Sequence, residues 1–210
     1  MYRRHFIATS LLASVAGLTQ AAATGGRTLL VLGDSLSAEY GLKRGSGWVA
    51  LLEQRLRTQK IPATVVNASI SGDTSSGGRS RLPALLVQHR PSHLIIELGG
   101  NDALRGLPLE LTRDNLDQMT RTAQRAGARV LLLGMQMPPN YGRDYADRFA
   151  AVFADVAKAH KAALVPFLLK GVADASDNLR LFQPDRIHPT AEAHPLLLDN
   201  VWPELQKILR

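Results

Sequence analysis

The chain has 210 residues, of which 45% are hydrophobic and 20% charged, with 25 Lys and Arg against 18 Asp and Glu. This is the composition of an ordinary globular protein, long enough to bury a sizeable core without a disulfide or a structural metal. The absence of cysteine excludes disulfide frameworks, Cys-ligated zinc, iron–sulfur clusters and thiol catalysis. The formal charge of +7 is carried by scattered basic residues with no long run and no interleaved aromatics, so no nucleic-acid partner is expected. The excess reads as a solvated surface, with at most a mild attraction to anionic membranes.

The N-terminus accounts for part of that charge. Residues 1–4 are basic, residues 6–18 are apolar or small, and Ala21-Ala22-Ala23 offers a small-residue cleavage site. Together these read as a secretory signal peptide over residues 1–23, leaving residues 24–210 as one domain in a periplasmic or secreted protein. The apolar run is shorter than the roughly 20 residues that span a bilayer, so no stable membrane insertion is expected. Arg3-Arg4 also resembles a twin-arginine signal, which leaves the export route open. A cysteine-free chain suits an oxidising compartment.

Beyond the signal, short apolar runs alternate with longer stretches of helical period. Strands are predicted at 28–32, 63–67, 94–98, 130–133 and 163–165, and helices at 47–59, 79–89, 109–126, 144–160 and 191–209. The alternation predicts a three-layer α/β/α sandwich around a five-stranded parallel sheet of flavodoxin-like type. In such folds ligands bind beyond the carboxyl ends of the strands. Those positions hold Gly33-Asp34-Ser35-Leu36-Ser37, then Ala68-Ser69-Ile70-Ser71-Gly72-Asp73-Thr74, then Gly99-Gly100-Asn101-Asp102, and after the fourth strand Met135-Gln136-Met137-Pro138-Pro139-Asn140-Tyr141-Gly142. The last excursion ends in Gln183-Pro184-Asp185-Arg186-Ile187-His188-Pro189.

One rim thus gathers a hydroxyl, an amide, a carboxylate and an imidazole. Catalysis by a serine needs a hydroxyl, a base to take its proton, a carboxylate to fix the imidazole tautomer, and donors for the oxyanion. Ser35, His188, Asp185 and Asn101 can fill those places, and the spacing of Asp185 and His188 lets one turn present both. Gly72 can bring its backbone N–H close to a bound carbonyl. Each has a plainer reading: Ser35 as a helix cap, Gly72 as a turn glycine, Asp185 as a turn residue and His188 as a surface histidine. Their convergence on one rim favours chemistry. Asp34 either hydrogen-bonds the surrounding loops or caps the next helix. Leu36, Leu104, Leu107, Met135, Met137, Pro138 and Tyr141 could line an acyl groove, although methionines beside a strand end more often pack the core. His89, His93, His160 and His194, on or beside helices, need no role.

Gly-Asp-Ser-Leu at 33–36, Gly72 within Asn-Ala-Ser-Ile-Ser-Gly-Asp-Thr at 67–74, Gly-Gly-Asn-Asp at 99–102 and Asp-x-x-His at 185–188 together resemble the SGNH hydrolases, also called the GDSL family. The stretches 82–86, 97–106 and 139–142 resemble its bacterial periplasmic thioesterase I, lysophospholipase L1 and arylesterase subgroup. The resemblance implies Ser35 as nucleophile, His188 as general base, Asp185 as its orienting partner, and the Ser35 N–H, Gly72 N–H and Asn101 side chain as oxyanion hole. It implies ester and thioester hydrolysis through an acyl-serine, on aryl and short-to-medium acyl esters, acyl-CoA or lysophospholipid, with no cofactor or metal. Glu39 and Ala103 depart from residues common in relatives and bear on the charge at the site mouth and on the 103–107 loop.

Two other functions fit parts of the pattern. Gly-Asp and Asn-Asp after parallel strands could serve a metal-dependent phosphoesterase, but His188 and His194 have no third ligand nearby in sequence, so no metal is expected. A non-catalytic lipid-binding module could keep the fold and lose the chemistry, yet every catalytic position is filled. A small-molecule ester, thioester or lysolipid is the expected partner, and a monomer is the default expectation.

Overall fold

In the computed structural model, which describes residues 26–210, five parallel strands form the middle layer. They are β1 (Arg27–Gly33), β2 (Ala63–Asn67), β3 (His93–Glu97), β4 (Arg129–Leu133) and β5 (Ala163–Val165), in the order β2-β1-β3-β4-β5. This is the doubly wound order, with its reversal at β1 and β3. Leu29, Leu30, Leu94, Ile95, Leu131 and Leu132 are wholly buried, as strands covered on both faces require. Helix α1 (Trp48–Thr58) packs on α6 (His194–Leu209), while α4 (Leu109–Arg125) packs between α2 (Ser75–His89) and α5 (Arg143–His160). The result is the expected three-layer sandwich. Leu109, Leu116, Met119 and Ala123 mark the buried stripe of α4, at the three- and four-residue spacing that helices use.

The predicted strands fall within one residue of those observed. Three local expectations need correction. Helix α2 begins at Ser75 rather than at 79, because Thr74 caps it by accepting the Gly77 N–H at 3.3 Å. The Ser75-Ser76-Gly77-Gly78 turn is a weak helix former, and packing makes it helical: any side chain at Gly78 would collide with Leu98 Cδ1. Residues 100–104 form a short helix, α3 (Gly100–Leu104), where a loop is expected. His93 opens a strand instead of flanking a helix; its ring Nε2 lies 2.9 Å from the Ile208 carbonyl, and burial lowers its pKa. The signal-peptide assignment at 1–23 lies outside the described residues. Among the described residues, no helix is long and apolar enough to cross a membrane.

Candidate active site

Beyond Gly33 the chain turns sharply on Asp34. The Asp34 carbonyl accepts the N–H groups of Ser37 and Ala38, at 3.3 and 2.9 Å, and its Oδ1 accepts that of Leu36 at 3.0 Å. The Ser35 N–H, by contrast, meets no acceptor among the described residues. Gly33 has no alternative here, since a Cβ would stand 2.8 Å from both Glu97 Oε2 and Ser37 Oγ. Ser35 is thereby presented at the strand end with its hydroxyl 2.8 Å from His188 Nε2.

His188 and Asp185 come from a turn before α6. Asp185 Oδ1 accepts the N–H groups of Ile187 and His188, each at 3.0 Å, and its Oδ2 lies 2.7 Å from His188 Nδ1. Desolvation opposes ionisation of this carboxyl, but these bonds outweigh it and bring its pKa down to about 2. An ionised carboxylate only accepts, so Nδ1 carries the proton and Nε2 is left to accept from the Ser35 hydroxyl. Gln183 closes the turn: its N–H donates to the His188 carbonyl at 2.7 Å, and its Nε2 donates to the carbonyls of Tyr40 and Pro189. The Tyr40 ring lies 4.3 Å from that of His188.

The expected oxyanion donors stand on the segments that follow β2 and β3. Gly72 adopts a φ of 78°, a left-handed conformation that favours glycine. Its N–H has no acceptor among the described residues, and its carbonyl accepts from Arg105 Nη2 at 2.8 Å. Arg81 fixes the loop by donating to the carbonyls of Ala68 and Gly33 and pairing with Asp73 at 2.8 Å. Asn101, in α3, donates from Nδ2 to Asp34 Oδ2 and to the Asp73 carbonyl, both at 2.9 Å. Both amide protons are therefore engaged, so an oxyanion would have to share or displace one of these bonds.

Sequence reasoning missed the floor of this site. Glu97 ends β3 in register with Gly33 and is fully buried. Its Oε2 accepts from the Asp34 N–H at 3.2 Å and the Ser37 hydroxyl at 2.8 Å, while Trp48 Nε1 donates to Ser37 Oγ. Oε1 is buried without a partner. Desolvation first, and the Asp34 charge second, push the Glu97 pKa well above the carboxylate range; desolvation likewise raises Asp34 to about 6. A glutamate following the apolar run Leu94-Ile95-Ile96 was the available signal. Asp102 is also wholly buried, accepting the Ser75 N–H at the start of α2 and the Ser75 and Thr112 hydroxyls.

The remaining expectations divide. Asp34 bonds the surrounding loops. Leu36, Met135 and Met137 are core residues that expose little surface to a ligand, because they sit where the strand ends meet the helices. Leu104 and Tyr141 are exposed at 44% and 43%, Pro138 is exposed and Leu107 half-buried, so these four remain available to a substrate. The Glu39 carboxylate accepts the N–H groups of Gly45 and Gly47 and so turns onto its own loop. Among the described residues, no three His, Asp or Glu groups converge to hold a metal.

A hydroxyl–imidazole–carboxylate relay, with unengaged N–H groups at Ser35 and Gly72, is machinery for covalent acyl transfer, and the class is that of the serine hydrolases. Residues 31–196 match the GDSL-like lipase/acylhydrolase family, and the chain belongs to it. Esterase TesA of Pseudomonas aeruginosa is 52% identical over 192 residues, covering 91% of this chain and 93% of that protein. Thioesterase 1/protease 1/lysophospholipase L1 of Escherichia coli is 42% identical over 182 residues, covering 87% and 85%. The crystal structure of TesA superimposes with a TM-score of 0.83, covering 87% of this chain and 99% of that one at 52% identity. The esterase EstA from a Pseudoalteromonas species, solved inhibited by monoethylphosphonate, gives 0.81 at 40% identity, covering 87% and 98%.

Proposed function

We propose that this chain hydrolyses carboxylic esters and thioesters through an acyl-serine formed on Ser35. The observation that carries the proposal is the relay itself, Ser35 Oγ to His188 Nε2 at 2.8 Å and His188 Nδ1 to Asp185 Oδ2 at 2.7 Å. His188 takes the hydroxyl proton as Ser35 attacks the carbonyl carbon. The oxyanion falls to the N–H groups of Ser35 and Gly72 and to Asn101, which shifts one of its two bonds to receive it. The imidazolium returns its proton to the leaving alkoxide or thiolate. Water, activated by the same imidazole, then releases the acid and restores the serine.

Relatives named as an esterase, a thioesterase with lysophospholipase activity and an arylesterase support aryl esters, acyl thioesters and lysolipids as substrates. With a signal peptide over residues 1–23, the enzyme is exported and meets lysophospholipids and external esters rather than cytosolic acyl-CoA. Treatment with a fluorophosphonate probe, followed by peptide mass spectrometry, tests the assignment. Labelling confined to Ser35 and lost on heat denaturation is expected. A folded protein that stays unlabelled and leaves aryl esters intact would overturn it.

A further inference from the structure

Gly72 is the donor least able to hold one direction. The Asp73 N–H donates to the Ile70 carbonyl at 3.0 Å, closing a turn over residues 70–73 in which Gly72 alone has a positive φ, 78°. This is a type II turn, with glycine at the position that requires positive φ. The peptide joining Ser71 to Gly72 is its central one, and neither the carbonyl nor the N–H of that peptide is bonded among the described residues. Half a rotation of a central peptide converts type II into type I, and glycine populates both signs of φ. The Gly72 N–H would then face the opposite way. Glycine permits the orientation of this donor without securing it.

Arg105 supplies what the glycine lacks. Its own N–H donates to the Asn101 carbonyl at the end of α3, and its guanidinium reaches the neighbouring turn, where Nη2 donates to the Gly72 carbonyl at 2.8 Å. The same Nη2 lies 3.7 Å from the position a Cβ on Gly72 would take. In a type II turn the preceding carbonyl lies on that side, which is the crowding that reserves the position for glycine. A positive charge there favours the Ser71 carbonyl toward it and the Gly72 N–H away from it. That charge is not spent on an acid: Arg105 forms no ion pair among the described residues, and Asp73, the acid of the same turn, pairs with Arg81. Asn101 Nδ2 holds the next carbonyl, that of Asp73, at 2.9 Å. One short helix therefore grips two consecutive carbonyls beside the untethered peptide.

We propose that Arg105 is a positioning residue for ester hydrolysis, its guanidinium holding the Ser71–Gly72 peptide in the orientation that turns the Gly72 N–H toward the oxyanion. Arg105 touches no reacting atom in this role and acts through Gly72. The catalytic consequence rests on the assignment of Ser35 and its donors given above; the hold on the peptide does not. Because Arg105 is exposed, its loss should leave the core intact.

The test compares Arg105→Met, which keeps an apolar stem but no donor or charge, with Arg105→Lys, which keeps a charge and a donor. For a soluble aryl ester, Arg105→Met should lower kcat at least about tenfold, approaching the cost of losing one oxyanion donor, while KM and the melting temperature hardly move. Arg105→Lys should recover part of that loss. The orientation itself is read by the amide N–H residual dipolar coupling at Gly72, which should change in Arg105→Met and return toward its original value in Arg105→Lys, with couplings across the sheet unaltered. An unchanged Gly72 coupling in Arg105→Met overturns the proposal. So does ester hydrolysis by the unmodified protein that Arg105→Met leaves intact or weakens through KM alone. A Gly72 coupling that responds as expected in a protein that hydrolyses no ester would sustain the hold on the peptide while the catalytic assignment fails.

Discussion

Ser35 stands above a buried floor of carboxyl groups, Asp34 just beyond β1 and Glu97 at the end of β3, whereas His188 and Asp185 stand on an exposed turn whose geometry is set by bonds within the turn and which Gln183 ties to Tyr40. The contrast follows from what each half must do. An acid–base pair needs one tautomer and one short reach, and two backbone N–H groups plus a carboxylate fix both locally. A nucleophile must be held against donors from separate loops, which only long-range contacts can align. Asp34 makes those contacts: it accepts from Asn101, donates its N–H to Glu97 and organises the Ser35 turn. Stability and activity are therefore entangled beneath the serine and separable at the histidine.

The largest test of that contrast is at the relay. Ser35→Ala and His188→Ala should each lower kcat/KM for a soluble aryl ester by about 10⁴-fold or more, and His188→Ala should leave the melting temperature nearly unchanged. Asp185→Asn should cost about 10³ to 10⁴ in kcat through loss of the correct tautomer, again with little change in stability. Asn101→Ala should lower kcat by about 10² to 10³ and, unlike the histidine-side changes, should also lower the melting temperature, because it takes a donor from Asp34 Oδ2 and from the Asp73 carbonyl.

Beneath the serine, Glu97→Leu strips acceptors from the Asp34 N–H and the Ser37 hydroxyl, at a cost of about 1–3 kcal/mol for each buried group. Glu97→Gln keeps an acceptor oxygen and should cost less. The pH dependence gives the sharper result. Native Glu97 and Asp34, with raised pKa values, hold protons that the unfolded chain releases, so their contribution is present in acid and declines with rising pH, for Asp34 as pH rises from the ordinary carboxylate range to about 6. The cost of Glu97→Gln measured by urea denaturation should therefore shrink from pH 5 to pH 8. His194 acts in the opposite sense. Burial lowers its pKa to about 4, and its Nδ1 accepts the Trp48 N–H at 2.9 Å. The unfolded chain takes up a proton that the native one refuses between about pH 6.5 and 4, so up to about 3 kcal/mol of stability is lost as pH falls through that window. His194→Gln should flatten that acid-side loss.

The parts legible in the sequence are those encoded by neighbours. Strands such as 28–32 are continuous apolar runs, and the Asp185–His188 spacing fits a single turn, so both could be read without knowing the rest of the fold. Glu97 could not be read this way, because its role depends on register with Gly33 across two strands far apart in sequence. Helix α3 and the first turn of α2 escaped for a related reason. Glycine and serine argue against helix locally, yet the Asp102 carboxylate receives the Ser75 N–H and stabilises the start of α2. Tyr40 and Gln183, which hold the histidine turn, look like ordinary loop residues until that turn folds back over the β1 loop.

The pairing of α1 with α6 also sets an order in time. The β1 loop, bearing Ser35, is made well before His188 and the helix that follows it. Until His194 arrives, the first N–H of α1 lacks its acceptor and one face of the sheet lacks half its cover. A nascent chain that has not reached Asp185 thus lacks the base proposed for Ser35, and on the proposed assignment it cannot hydrolyse an ester.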